Sequence, residues 1–98
     1  MLLFNSPAQA SSQSGGIVTH VYVHSSGKAL IDATGIRTTP IGCGTSGWAF
    51  DATTAAGQAM LSLFLSALHA GTPVEILGTG DCALWTDRET VLQGHIYR

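Results

Sequence analysis

The sequence predicts a mainly β domain with one helix, whose elements follow the order β-β-β-α-β-β. Three short strand-like segments precede one long apolar helical segment, and two further strands follow it. Cys43 lies ahead of the helix and Cys82 lies just after the next strand, so we expect a disulfide that clamps the sheet across its helix. The chain has 98 residues, which support one domain with a modest core.

The first three strands are separated by glycine-containing turns. Gly16–His24 alternates, with Ile17, Thr19, Val21 and Val23 on one face and Val18, His20, Tyr22 and His24 on the other. A turn at Ser25–Lys28 leads into a second strand at Ala29–Thr34, so the pair is predicted to form a hairpin. After a loop that contains Cys43, Gly47–Phe50 is the third strand.

The helix is predicted over Thr54–Ala70. Asp51, Thr53 and Thr54 can each provide the N-cap, because a side-chain oxygen there accepts a hydrogen bond from a free backbone N–H. Gly71 is the expected residue at the C-terminal end, where the chain adopts a left-handed conformation.

Apolar residues cover most of this helix. The broad stripe comprises Ala56, Ala59, Met60, Leu63, Phe64, Ala67 and Leu68, and Leu61 and Leu65 widen it. A helix this apolar needs cover on more than one side. The sheet covers one side, and we expect a neighbouring subunit on the other; loops of the same chain are the alternative. The sequence therefore predicts a homo-oligomer.

The last two strands complete the pattern. Val74–Leu77 is the fourth strand, Gly78–Arg88 is a long connection, and Glu89–Tyr97 is the fifth. This order is that of a five-stranded OB-like barrel, which we predict for residues 16–98.

Residues 1–15 are predicted to be a signal-peptide remnant followed by a flexible polar lead. Met1–Phe4 is apolar, and Ala8 and Ala10 have the small-residue spacing that a signal peptidase reads. They match the tail of a signal peptide that begins further upstream; a frayed terminus is the alternative. Export would place the protein in the periplasm or outside the cell, and we expect no membrane span, because no run approaches about 20 apolar residues.

The charge pattern argues against nucleic acid as a partner. Charged residues make up only 10% of the chain, and the net charge is −2. Binding to phosphates requires clustered Lys and Arg. Here the four basic residues are scattered at Lys28, Arg37, Arg88 and Arg98.

The cysteines and histidines have competing interpretations. A Cys43–Cys82 bond closes a loop of about forty residues, which the chain-entropy estimate values at about 4 kcal/mol. The alternatives are two free thiols or half of a metal site. His20 and His24 lie about 13 Å apart on an extended strand, too far to share one zinc ion without a partner such as His95. We predict no metal and no cofactor.

Catalytic motifs are weak throughout. Ser46 lacks the context of a nucleophile elbow, and Gly78-Thr-Gly lacks the third glycine and the helix of a dinucleotide site. An acid–base site would depend on Asp81, Asp87 and Glu89, but capping and turn roles are commoner for such residues. We predict that the protein is not an enzyme.

A carbohydrate site fits these residues better, because sugar rings stack on aromatic rings while their hydroxyls pair with polar side chains. The predicted ligand-binding residues are Trp85, Asp81, Thr86, Asp87, Ser46 and Trp48. The disulfide would bring their two loops together. The alternative is that both tryptophans are core or interface residues, and for Trp48 the core is favoured.

The run GTPVEILGTGDCALWTDRETV, which begins at Gly71, resembles short exported bacterial proteins of uncharacterised role. They share the pattern A-G-x-x-V-x-I-x-G-T-G-x-C-x-x-W-x-D-x-E-x-V after an Ala/Leu-rich helix that follows W-A-x-D. The resemblance covers about Cys43 to Ile96.

In size, export, strand order and the disulfide near its helix, the chain also resembles the B subunits of pentameric bacterial toxins of the cholera, pertussis and subtilase cytotoxin families. No ligand motif is shared. This resemblance implies a secreted, ring-forming OB barrel that binds cell-surface glycans as receptors, beside a catalytic A subunit. The alternative function is a periplasmic structural or inhibitory protein that binds another protein.

Overall fold

The computed structural model describes residues 10–38, 41–44 and 46–97. These residues form seven strands and one helix, namely β1 (Ser12–Gly16), β2 (Val18–Val23), β3 (Lys28–Ala33), β4 (Ile36–Thr38), β5 (Trp48–Asp51), α1 (Ala55–Ala70), β6 (Val74–Gly78) and β7 (Glu89–Ile96). The prediction of a mainly β chain with one helix is confirmed. The number of strands is seven rather than the predicted five.

The strands form one mixed sheet in the order β2-β3-β5-β7-β6-β1-β4. Neighbours are antiparallel except β5 and β7, which are parallel and pair Trp48 with Glu89 and Ala49 with Thr90. Strands β2 and β4 lie at the two ends of this order. The hydrogen-bonding pattern is thus an open order of seven strands and not a closed barrel of five.

The larger strand number has a local cause at one level of the sheet. Only Ile17 separates β1 from β2, and two residues separate β3 from β4. At this level Thr34 N–H donates to the Ile17 carbonyl (3.0 Å), and Ile17 N–H donates to Thr34 Oγ1 (2.9 Å). A Cβ at Gly16 would lie 1.8 Å from the Thr34 carbonyl oxygen, so the two segments approach too closely there for any side chain. Both strands of the hairpin are therefore interrupted at the same level, which divides one into β1 and β2 and the other into β3 and β4.

The segment Ser11–Gly15, expected to be a flexible lead, is instead part of the sheet. Strand β1 pairs with β4 on one side and β6 on the other. Gln13 of β1 and Ser11 just ahead of it are buried but polar, so the segment lacks the apolar alternation by which strands are recognised. Of the expected signal-peptide remnant, residues 1–9 lie outside the described residues, and that interpretation stays a prediction.

A bulge in β2 changes the predicted facing of its side chains. Val18 pairs with Ala33, but His20 pairs with Asp32, so the register shifts between them. As a result Val18 is buried and Val21 also packs against the core. The expectation that Val18 shares a face with His20 and Tyr22 is wrong for this reason.

The helix ends are as predicted. Thr54 is the N-cap, and its Oγ1 accepts a hydrogen bond from Gly57 N–H at 2.9 Å. Gly71 has φ of 68°, and its N–H donates to the Ala67 carbonyl. These two contacts satisfy backbone groups that the helix itself leaves unpaired.

The core lies between the inner face of the sheet and α1. Phe64 of α1 contacts Phe50 of β5, with ring centroids 5.7 Å apart. The fully buried core side chains with the largest volumes are Trp48, Phe64, Ile31, Ile76, Val18 and Val74. On the outer side of α1, Leu65 and Leu68 remain 46% and 39% exposed, so the described loops do not cover them. Among the described residues, no helix has both the length and the apolarity needed to cross a membrane.

The predicted disulfide is present. Cys43 and Cys82 are bonded, with their Cα atoms 6.3 Å apart and a sequence separation of 39. The bond joins the loop ahead of β5 to the connection between β6 and β7. Its position across the helix-containing segment is the one that the sequence predicts.

Candidate functional site

Four rings line one outer surface of the molecule: His20, Tyr22 and His24 on or next to β2, and Trp85 in the connection 79–88. We call these four residues the aromatic platform. The rings of His20 and Tyr22 stack with centroids 5.6 Å apart, and His24 meets Trp85 edge-on at 5.3 Å. Tyr22 keeps 42% of its surface exposed. The platform is therefore a surface on which a flat, partly apolar ligand can stack.

The connection 79–88 is folded back onto the sheet, which is what positions Trp85. The disulfide holds its first half through Cys82. Ser46 Oγ donates to the Asp87 carbonyl at 3.0 Å and holds its second half. Trp85 and Arg88, on either side of Asp87 in the chain, form an isolated antiparallel bridge. The predicted convergence of the two loops is thus observed in the covalent bond and in the Ser46–Asp87 contact.

An ion pair lies beside the platform. Arg88 Nη1 donates to Asp32 Oδ1 at 2.8 Å and to the Ile31 carbonyl at 3.1 Å. The Arg88 guanidinium carbon also lies 5.6 Å from the centroid of the Tyr22 ring. The two charged side chains are 14% and 27% exposed, so the pair is shielded more than a surface salt bridge but can still be reached.

Tyr22 links the ion pair to the platform. Its hydroxyl donates to Asp32 Oδ2 at 3.2 Å, and His20 Nδ1 lies 3.9 Å from the same oxygen. Desolvation, followed by the hydrogen bond and charge of Asp32, raises the pKa of Tyr22. The phenol therefore stays protonated at neutral pH, and Asp32 is held by donors on both of its oxygens.

A polar cavity of about 320 Å³ adjoins the ion pair. Asp32 and Ser46 contribute to its lining, and Arg37 forms part of its wall. The Arg37 Nη2 donates to the Gly47 carbonyl at 3.0 Å, and its guanidinium stacks on Trp48 at 3.9 Å. Burial lowers the pKa of Arg37, but a guanidinium remains charged at neutral pH.

The predicted ligand residues of the 79–88 connection have different roles. Thr86 and Asp87 are exposed, and Trp85 is partly buried at the platform. The Asp81 carboxylate instead accepts hydrogen bonds from Ala83 N–H (3.0 Å) and from Thr90 Oγ1 (3.1 Å). The Ala83 bond is the largest of the effects that lower the pKa of Asp81. Asp81 therefore stabilises the conformation of the loop, which is the turn role that the sequence offered as the alternative to acid–base chemistry.

Trp48 lies in the core and not at a ligand surface. It has no exposed surface, and its indole N–H donates to Gln13 Oε1 at 2.7 Å. A ligand in solvent therefore cannot stack on the Trp48 ring, which is what its prediction as a ligand-binding residue would require. The core position, which the sequence favoured, is the one observed.

The three acidic residues considered for acid–base chemistry do not share one environment. Glu89 is completely buried, while Asp81 and Asp87 are exposed. Within residues 10–38, 41–44 and 46–97, no three His, Cys, Asp or Glu side chains are grouped so that they could hold a metal ion.

Sequence reasoning missed Tyr22, Asp32, Arg37 and Arg88 as site residues. The outward alternation of His20 and Tyr22 along one strand was a usable signal for the platform. No signal of that kind exists for the contact between Arg88 and Asp32, because 56 residues separate them in the chain.

Compared with models of protein families, with curated proteins and with solved structures, the chain gives no match.

Proposed function

We propose that this protein is a secreted, non-catalytic binding module, and that its ligand is a glycan bound on the aromatic platform and in the adjoining polar cavity. The observation that carries the proposal is the aromatic platform, which lies beside a shielded but accessible Arg88–Asp32 ion pair. A stacking surface next to fixed polar groups is the combination that a sugar ring requires.

The chemistry of a sugar matches each part of this surface. Its C–H face stacks on Trp85 or Tyr22, and its hydroxyls pair with Asp32 and with the exposed Thr86 and Asp87. The adjoining cavity, at about 320 Å³, is within the range of small-ligand sites. Asp32 is already held by Tyr22 and Arg88, so little ordering is needed when the ligand binds.

We also propose that the sheet is a distorted five-stranded OB-like barrel. This is supported if β1 with β2, and β3 with β4, are each counted as one bent strand. The strand made of β1 and β2 then pairs along its length with the strand made of β3 and β4, and its β1 half also pairs with β6. The parallel pairing of β5 with β7 agrees with the same arrangement.

The apolar outer surface of α1 supports an oligomer. A shallow cavity of about 310 Å³ between α1 and β7 is lined by Ala56, Ala59, Met60, Leu63, Leu92, Gln93 and Gly94. Leu92 of this cavity is 59% exposed, and elsewhere on α1 Leu65 and Leu68 are 46% and 39% exposed. We propose that a second copy covers this apolar surface in a homo-oligomer like that of the toxin B subunits. The oligomer would bind a cell-surface receptor. A catalytic A subunit would be a further partner of the same oligomer.

The same apolar surface is the observation that favours the second candidate function, a periplasmic structural or inhibitory protein that binds another protein. Native mass measurement separates the two possibilities, because a closed oligomer hides the surface whereas a monomer leaves it open to a different protein.

A glycan array tests the leading proposal. The wild-type protein should bind a defined set of glycans, and Trp85→Ala and Tyr22→Ala should each weaken binding by about tenfold or more, or about 1.4 kcal/mol. Tyr97→Ala is the matched control, since Tyr97 is also 42% exposed but is not part of the platform, and it should bind like the wild type. A blank array from folded protein would contradict the proposal.

A further inference from the structure

A buried carboxylate binds the residue at which the described chain enters the sheet. Glu89, at the start of β7, has no exposed surface, and Ser11, just ahead of β1, is 1% exposed. The backbone N–H of Ser11 donates to Glu89 Oε2 at 3.1 Å, and the Ser11 hydroxyl donates to Oε1. Gly80 N–H also donates to Oε2, at 3.0 Å.

This carboxylate is held by one cation and by three hydrogen bonds. Within the part of the chain that the structure describes, its one ion pair is with Arg37, whose Nη2 lies 3.8 Å from Oε1. Arg37 also binds the Gly47 carbonyl and stacks on Trp48. A buried charge is costly unless a cation and hydrogen bonds compensate it. A second cation at the Ser11 nitrogen would be closer to the carboxylate than Arg37 is and would strengthen this compensation.

The sequence provides a way to place a cation there. Ala8 and Ala10 are the small residues whose spacing marks a signal-peptidase site, and the bond that they specify is Ala10–Ser11. The nitrogen freed by cleavage is thus the nitrogen that contacts Glu89. Ser11 and Glu89 are 78 positions apart in the chain, so the cleavage motif and the buried carboxylate point independently to the same atom.

We propose that the chain is cut between Ala10 and Ser11, and that the new α-ammonium group of Ser11 forms a buried ion pair with Glu89. In the cleavage, a signal peptidase adds water across the amide. The C–N bond breaks, the Ala10 carbonyl carbon gains an oxygen and becomes a carboxylate, and the Ser11 nitrogen leaves as an amine that takes up a proton.

The geometry also gives the order of events. Because Ser11 is buried in the folded chain, the peptidase can act only before β1 joins the sheet. Folding then moves the new ammonium next to Glu89, where it donates up to three hydrogen bonds in place of one and carries a full charge. Processing thereby stabilises the fold, and an uncut chain lacks this ion pair.

The first test is the N-terminus of the protein purified from the cells that produce it. Intact-mass measurement and N-terminal sequencing should give a chain that begins at Ser11. Any other first residue, or an uncut chain, would overturn the proposal.

The second test compares unfolding in urea for that processed chain and for a chain that is one residue longer and begins at Ala10. The longer chain keeps the ammonium charge but moves it away from Glu89. Its unfolding equilibrium constant should be larger by about tenfold or more, because the buried Glu89 carboxylate then keeps Arg37 but loses the second of its two cationic partners. In a Glu89→Gln background this difference should disappear. Equal stability of the two chains would contradict the ion pair.

A third measurement covers the case in which Glu89→Gln fails to fold. At neutral pH, the α-amine of the folded processed chain should react with an amine-selective reagent at least tenfold more slowly than the same amine in urea. Similar rates in the two states would show that the amine is exposed, and the ion pair would be excluded.

Discussion

Individual residues in this protein connect segments that are distant in the chain. Arg37 is the clearest case, since one guanidinium stacks on Trp48, binds the Gly47 carbonyl and lies 3.8 Å from the buried Glu89 carboxylate. Arginine suits this position because its planar group can stack and donate several hydrogen bonds at once. The side chain therefore ties β4 to β5 and β7 at the edge of the core.

Replacing Arg37 should be strongly destabilising. Arg37→Met removes the guanidinium next to Glu89, and breaking a buried ion pair by removing one partner costs about 3–5 kcal/mol. Arg37→Lys keeps the charge but loses the planar stacking, so it should lie between Arg37→Met and the wild type. Urea unfolding monitored by Trp fluorescence measures the difference. A loss below about 1 kcal/mol for Arg37→Met would show that Glu89 does not depend on it.

Asp81 should make the stability of the loop depend on acid pH. Its folded-state pKa is lowered, mainly by the Ala83 N–H bond. The stabilisation is therefore fully present above the unfolded-state pKa of about 3.9, and is lost as the pH falls through the lower folded-state value.

The measurement is urea unfolding between pH 6 and acid pH. Asp81→Asn should flatten the acid part of the profile, while Asp87→Asn, an exposed carboxylate in the same loop, is the charge-matched control. An unchanged slope in Asp81→Asn would contradict the assigned role.

Among the secondary-structure elements, the helix followed its sequence signals closely, whereas strands β1 and β4 did not. Helix α1 has a capping side chain at Thr54 and a left-handed Gly71 where the sequence places them. Strands β1 and β4 were missed because β1 faces inward with polar residues and β4 has only three residues. Local signals are sufficient for a capped helix, whereas a polar strand is defined by its partners.

The N-cap of α1 should be measurable on its own. Thr54→Ala removes the oxygen that accepts from Gly57 N–H and should lower the free energy of unfolding by about 1 kcal/mol. Ser62→Ala, at an exposed position in the middle of the helix, is the control and should change it by less than about 0.5 kcal/mol. Equal effects of the two variants would mean that the cap hydrogen bond contributes nothing.

For the molecule as a whole, the disulfide joins the stability of the fold to the shape of the proposed site. It ties the loop ahead of β5 to the 79–88 connection, and that connection contains Trp85 and Arg88. Without the bond, the Ser46–Asp87 contact and the Asp81 hydrogen bonds remain to hold the loop.

Removal of the disulfide should therefore have two effects. The Cys43→Ser, Cys82→Ser double variant should lose about 4 kcal/mol of stability, since the unfolded chain regains the freedom of a loop of 39 residues. Its glycan affinity should also fall, because Trp85 is no longer fixed beside His24. Urea unfolding and binding to the best array glycan measure the two effects. A double variant that binds with unchanged affinity would show that the other contacts suffice to position Trp85.

The sequence by itself determined the mainly β class, the helix with its ends, most strand positions and the cysteine pair. Each of these depends on short-range spacing, on capping chemistry or on counting two cysteines. Only the tertiary structure decided that Ser11 and Gln13 are interior, and that Tyr22, Asp32 and Arg88 meet beside Trp85. The physical reason is that these contacts join residues brought together by strand pairing, and the alternation along a single strand carries no information about which other strand lies next to it.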